Sequence, residues 1–317
     1  MAASALPVDP LWPRAGSWPT ASETVGPIDL AVLGIPTWRA SLSPTGAHAT
    51  PAAIRDALRR YSPFAASLDG RNVDELVIAD FGDVPDPDGT EGERRASERM
   101  TEAVARSTLT IAIGGDNAAT VPAALGSWGD SISTAGLVTL DAHHDLRDGV
   151  SNGSPVRRLL EAGLDGRRVV QVGIADFANS KAYTDRAREG GITVVRRDEL
   201  HRRSMTDVIA TALSIAGAAG GPIHVDIDVD VCDRSVAPAC PASVPGGLAA
   251  HEVREAARAA GSDPRVRSID ITEIDALADA PDGRTVRLAA LCVLEIAAGL
   301  AARPPVSSAA GPTATRL

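Results

Sequence analysis

AGLVTLDAHHD spans Ala135–Asp145, and IHVDIDVD spans Ile223–Asp230. Each opens as a short aliphatic run and ends in carboxylates, the profile of a buried strand that delivers polar groups at its carboxyl end. Six further short runs share that character: Ile28–Ile35, Leu76–Ile78, Leu109–Ile113, Arg168–Ile174, Ile192–Val195 and Val266–Ile271. Between the runs lie helical stretches at Pro51–Arg60, Glu91–Ser107, Ala118–Leu125, Pro155–Ala162, Ser180–Gly190, Met205–Ala218, Ala250–Ala260 and Thr285–Ala301. Thr50 is a candidate N-cap ahead of Pro51, a favourable residue at a helix start. Repeated strand–helix alternation predicts an α/β fold with a mostly parallel eight-stranded sheet, covered by helices on both faces.

The 317 residues carry 31 basic and 41 acidic side chains, a formal net charge of −10. That excess argues against a nucleic-acid or anionic-membrane surface, since both need a basic stripe. At 44% hydrophobic and 23% charged, the composition is that of a globular chain. Cys232, Cys240 and Cys292 are too few for a disulfide framework and point to a reducing, cytoplasmic setting. The first 27 residues lack a basic start followed by an apolar core, so no signal peptide is expected. No apolar run reaches the roughly 18 residues a membrane span requires. With no break in composition, residues 28–302 read as one domain. Residues 1–27 and 303–317, rich in Pro, Ser and Ala, read as a partly disordered segment and a disordered tail.

Parallel sheets place functional groups at strand carboxyl ends, and the unusual residues of this chain fall there. Gly114-Gly115-Asp116-Asn117 follows one expected strand, DAHHD follows a second, and DIDVD ends a third. In extended backbone Asp141, His143 and Asp145 share a face, as do Asp226, Asp228 and Asp230. Clustered carboxylates repel one another unless a cation neutralises them. A mixed oxygen and imidazole set suits a divalent ion such as manganese better than calcium or structural zinc. Taken singly, DAHHD has a second reading as a polar turn and DIDVD as an exposed edge strand; together, each ending an apolar strand, they favour the metal reading. The other histidines have plainer readings: His48, His201 and His251 solvated, His144 turned away from the metals, His224 a core residue within reach of the site.

These motifs resemble the ureohydrolases: arginase, agmatinase, guanidinobutyrase and formiminoglutamase. The resemblance runs from about Leu30 to Ala301 and includes GIPTWRASLSPTGAHATPAAIRDAL, the FGDV of Phe81–Val84 and the PGGL of Pro245–Leu248. It implies a single three-layer α/β/α domain with two Mn(II) ions per subunit, assembled as a homo-oligomer, a trimer or hexamer. By motif, Asp141 and Asp228 would bridge both metals, His143 and Asp230 would complete one, and Asp145 would serve the other. Glu273, in IDITEID, would steady the cationic head of the substrate. Two positions depart from arginase: Asn117 stands where GGDH supplies a histidine ligand, and Asn152 where arginase has its catalytic-loop histidine. GGDN, DAHHDLR, SNGSPVR and GIADFANS (Gly173–Ser180) are all similar to the formiminoglutamase branch.

That branch implies metal-assisted hydrolysis of N-formimidoyl-L-glutamate to L-glutamate and formamide, a step of histidine degradation. Its substrate carries two carboxylates. Arg147, two residues past Asp145, offers a fixed guanidinium that suits a carboxylate and would repel agmatine. Arg157 is a candidate for the second carboxylate, although it reads more readily as an exposed helix arginine beside Arg158; Asn152 and Asn179 are candidate pocket residues, Asn179 equally a turn or cap residue. Two alternatives remain: hydrolysis of another guanidino or amidino acid, or a metal-poor relative without activity, which Asn117 keeps open because an amide oxygen is a weaker ligand than imidazole.

Overall fold

The computed structural model describes residues 8–67 and 70–304. In chain order the strands are β1 (Ile28–Ile35), β2 (Phe64–Ala65), β3 (Arg71–Asn72), β4 (Ile78–Asp83), β5 (Ser107–Gly114), β6 (Gly136–Leu140), β7 (Val169–Ile174), β8 (Thr193–Arg196), β9 (Ile223–Asp228) and β10 (Val266–Thr272). The helices are α1 (Thr50–Leu58), α2 (Gly89–Arg106), α3 (Thr120–Trp128), α4 (Pro155–Glu161), α5 (Lys181–Glu189), α6 (Arg197–Leu200), α7 (Met205–Ala216), α8 (Ala250–Ser262) and α9 (Arg284–Ala301). Eight strands form one sheet in the order β4-β1-β5-β10-β9-β6-β7-β8, and every neighbouring pair is parallel.

Helices α2 to α5 cover one face, and α1, α7, α8 and α9 cover the other. Burial on both sides explains why the central strands read as unbroken aliphatic runs. This is a single three-layer domain, as the alternation and the resemblance implied.

Three local readings need correction. The edge strand expected at Leu76–Ile78 begins only at Ile78, because Val73–Glu75 forms a 3-10 turn capped by the Asn72 side chain. FGDV therefore lies mostly inside β4 rather than after a strand; Arg55, bound to Asp80 at 2.7 Å, neutralises the acid the strand carries. Thr50 is the first helical residue rather than the cap, and its hydroxyl donates to the Ile274 carbonyl. The β2–β3 hairpin, two residues a strand, and the four-residue α6 had no readable periodicity.

Within residues 8–27, the described part of the N-terminal segment, Pro19–Ala21 runs along β4: Thr20 bridges Asp80, and Asp80 N–H donates to Pro19 O at 2.8 Å. Residues 1–7 and 305–317, parts of the two segments read as disordered, lie outside the described residues. No helix is long and apolar enough to cross a membrane among the described residues.

Strands β5, β10, β9 and β6 are consecutive in the sheet. Their carboxyl ends therefore converge, carrying Asn117, Glu273, Asp228 and Asp141.

Candidate metal centre

Strand β6 stops at Leu140, so Asp141–Asp145 is an irregular loop and not extended backbone. Asp141 N–H donates to Val172 O at 3.0 Å and Ala175 N–H to Ala142 O at 3.0 Å, which fastens the loop to the end of β7. Asp145 closes it at φ +52°, in the left-handed region, a conformation that costs a non-glycine residue about 1–3 kcal/mol. The three side chains that alternation had placed on one face are thus gathered by a turn.

The second array also departs from strand period. Strand β9 ends at Asp228, and Val229–Val231 is a 3-10 turn in which Asp230 N–H donates to Asp228 Oδ1 at 2.8 Å. Asp226 does not join the site. It lies deeper in β9, in register with Asp270 and 3.4 Å from the Thr272 hydroxyl.

Asp141, His143 and Asp230 offer ligand atoms within 4.8 Å of one another, and so do Asp141, Asp145 and Asp228. His143 Nδ1 lies 2.8 Å from Asp230 Oδ2 and 3.4 Å from Asp141 Oδ1. Burial alone would lower the His143 pKa, but Asp230 and Asp141 outweigh it and push it up to about 12. Asp230, held by that imidazolium, stays below the ordinary carboxylate range despite its burial. Desolvation, then the neighbouring acids, raise Asp141 to about 6 and lift Asp145 and Asp228 well above the ordinary value.

Glu273 enters from the end of β10 at φ +63°, which turns its side chain back over the site. Its Oε1 accepts from Asn117 N–H at 2.8 Å and from Asn152 Nδ2 at 2.6 Å. Desolvation pushes its pKa up to about 8. Gly115, just before this corner, has no room for a side chain: a Cβ would sit 1.8 Å from Thr37 O. Asn117 is fully engaged. Its Oδ1 accepts from the Thr120 and Thr272 hydroxyls at 2.6 and 3.0 Å, so its Nδ2 faces Asp145 Oδ2 at 2.6 Å. As oriented it offers an N–H to the acid cluster, not the oxygen that a ligand role requires.

Above these residues opens a cavity of about 360 Å³, lined by His143, Asp145, Arg147, Asn152, Asn179 and Glu273 among others. Arg147 is exposed at its mouth and has no ion pair among the described residues; Asp148, its nearest acid in sequence, pairs with Arg186 at 2.9 Å. Gly153 makes room for it, since a Cβ there would lie 2.7 Å from Arg147 Cδ.

Arg157 is not a cavity residue. Its guanidinium donates to the carbonyls of Arg147 and Gly149 and pairs with Glu161, because α4 turns it under the 147–153 loop. Asn179 lines the cavity, but its amide is spent on backbone: Oδ1 accepts from His144 N–H at 2.9 Å and Nδ2 donates to Ala142 O at 2.9 Å. His144 points away as expected, onto Gln171, and burial lowers its pKa. His224 is a satisfied core histidine between Ser268 and Asp270.

Two contributions had no sequence signal. Leu42 and Ser43, from the loop after β1, form part of the wall. Arg197, buried on α6, donates from Nη2 to Val231 O at 3.0 Å and so braces the turn that carries Asp230; only the unread helix α6 brings it there.

The donor set fits divalent metal. Four buried aspartates and one imidazole make up the two groups, and Asp141 Oδ2 is buried without any hydrogen-bond partner. An orphaned carboxylate oxygen among repelling neighbours is costly unless a cation takes it. Oxygen-rich donors with one nitrogen suit Mn(II).

The model of the arginase family matches residues 28–299. Formimidoylglutamase of Bacillus subtilis (strain 168) is 31% identical over 283 residues, covering 86% of this chain and 88% of that one. The crystal structure of the B. subtilis formimidoylglutamase superposes with a TM-score of 0.88 at 29% identity, over 96% of this chain and 97% of that one. Trypanosoma cruzi formiminoglutamase, solved with Mn2+, gives a TM-score of 0.79 at 26% identity over 87% and 95% of the two chains. The chain belongs to the arginase family. Within it, this chain is a hydrolase of the group that acts on amidino and guanidino carbons.

Proposed function

We propose that this chain hydrolyses the formimidoyl C–N bond of N-formimidoyl-L-glutamate, consuming one water and releasing L-glutamate and formamide. One observation carries the substrate choice: the Arg147 guanidinium, without an ion pair among the described residues, stands at the mouth of a cavity whose floor is acidic. A purely cationic substrate would meet repulsion at that mouth. A substrate with an amidine head and carboxylates at the other end meets the opposite charge at both.

Asp141, His143, Asp145, Asp228 and Asp230 would hold two Mn(II) ions, which supply a hydroxide at neutral pH and stabilise developing negative charge. The remaining work falls to the protein. Arg147 binds a substrate carboxylate and fixes the depth to which the amidine enters. Glu273, locked by Asn117 and Asn152, orients the amidinium N–H groups. Asn117 fixes Oδ2 of Asp145, which leaves Oδ1 to carry a proton to the departing amine. Asn152 and Asn179 line the cavity, and they support this arrangement by holding Glu273 and the metal loop.

The reaction would be a step of histidine degradation, run by a cytoplasmic homo-oligomer of three or six subunits. Three buried free thiols support a reducing compartment. Manganese-loaded protein should turn over N-formimidoyl-L-glutamate with formamide as product, and arginine, agmatine and guanidinobutyrate far more slowly. Urea released from a guanidino acid as the dominant product would replace this reading with that of a guanidino-acid hydrolase.

A further inference from the structure

On the far side of the 142–144 loop from the metal centre lies a second cavity, of about 640 Å³, between β7, β8 and α5. Its lining includes His144, Asp176, Asn179, Thr184, Arg188 and Arg196. Two guanidinium groups and the Asp176 carboxylate line this one cavity, so charges of both signs border the same space. Both guanidinium groups stay largely exposed although paired: Arg188 meets the partly buried Asp185 at 2.8 Å, and Arg196 meets the exposed Asp198 and Glu199 at 3.5 and 3.7 Å. Such pairs exchange readily for a ligand carboxylate.

The wall also offers acceptors. Gln171 Nε2 donates to His144 O at 2.8 Å, which fixes the amide, so its Oε1 must accept from His144 Nδ1 at 2.6 Å. The other ring nitrogen, Nε2, faces the Thr184 hydroxyl at 3.3 Å, and that hydroxyl also donates to Ser180 O at 3.1 Å. Asp176 adds a carboxylate. A simple anion such as phosphate would face that carboxylate unfavourably, whereas a zwitterion satisfies charges of both signs.

We propose that this cavity is a second, non-catalytic site for a small α-amino acid, its carboxylate on Arg188 and Arg196 and its ammonium toward Asp176. Asn179 stands in the walls of both cavities and holds the His144 N–H. Filling the second site therefore stiffens the loop that carries the metal ligands.

Calorimetric titration of L-glutamate into manganese-loaded Arg147→Ala protein, in which the catalytic cavity has lost its carboxylate anchor, tests this without reading turnover. One L-glutamate per chain is expected to bind. Arg188→Ala/Arg196→Ala added to that background should weaken it by about tenfold or more, and glutarate, which lacks the amine, should bind about tenfold more weakly than L-glutamate. Native protein carrying Arg188→Ala/Arg196→Ala should lose one of two bound L-glutamates and keep its basal hydrolysis. Absence of binding at millimolar L-glutamate, an unchanged affinity in the arginine variants, or equal affinity for glutarate would each overturn the proposal. Hydrogen exchange at residues 142–144 should slow on L-glutamate addition; no change there removes the coupling through Asn179.

Discussion

Asp141 is the residue on which the two ligand groups meet, since it belongs to both. Replacing it with alanine removes a donor from each, so Asp141→Ala should lose both metals by elemental analysis, and Asp228→Ala should do the same under the bridging role that the resemblance implies for it. Retention of full metal in either variant would contradict shared ligation. Asn117 gives a second outcome at this scale. Because its N–H faces Asp145, the Asp141, Asp145 and Asp228 group is left with carboxylates only, and the group containing His143 has the sole nitrogen. Metal titration should therefore resolve one tighter and one weaker site, and Asn117→His should tighten the weaker one. Arg147→Ala should lower kcat/KM for N-formimidoyl-L-glutamate by about 10- to 150-fold, the range for losing a hydrogen bond to a charged group at about 1.5–3 kcal/mol. Metal content should be unchanged. An unaltered kcat/KM would remove the carboxylate role of Arg147.

Elements explain why some candidates were misplaced. Arg157 looked like a pocket residue from its distance to Asn152, but α4 directs it beneath the loop, where it holds the carbonyls of Arg147 and Gly149. It acts on substrate only through the position of Arg147. Loss of hydrogen bonds of this kind costs about 1–2 kcal/mol. Arg157→Ala should therefore raise KM for the dicarboxylate several-fold, well short of the effect of Arg147→Ala, with kcat little changed. An effect on kcat/KM as large as that of Arg147→Ala would return Arg157 to direct contact with substrate. Elsewhere strand endings decided the outcome: β6 and β9 stop at Leu140 and Asp228, and the turns beyond them, not alternation, assemble the ligands.

At the scale of the whole molecule, the buried acids link stability to pH and metal. In the metal-free protein Asp141 and Glu273 have folded pKa values of about 6 and about 8, above their ordinary values of 3.8 and 4.5. Between about pH 4 and 8 the folded chain thus binds more protons than the unfolded one, and stability falls as pH rises. His143, raised to about 12, adds stability that is complete below pH 6.5 and is lost as pH climbs above it, so its slope has the same sign. Metal-free protein should show a Tm that declines steadily from pH 5 to 8. Manganese should raise Tm, and most strongly at the upper end, where ligands are deprotonated. A metal-free Tm that rises across this window would mean that the acids are not buried together.

Much of this was legible in the order of residues alone. Strand composition and spacing determined an eight-stranded, helix-covered sheet, because a strand buried on both faces must be aliphatic throughout. The carboxylates at the ends of such strands stood out because no apolar core tolerates them unpaired, and the motifs around Asp141 and Asp228 were enough to identify the family. The tertiary structure decided the rest. Sheet order put β5, β10, β9 and β6 side by side, which no local pattern encodes, since pairing between parallel strands depends on crossovers many residues long. The orientation of the Asn117 amide follows from Thr120 and Thr272 together, two residues 152 positions apart in the chain. Arg197 under Asp230, Arg157 under Arg147 and Asn179 between two cavities are likewise long-range contacts. Each is fixed by where a helix or loop lands on the sheet, and that is a property of the packed molecule.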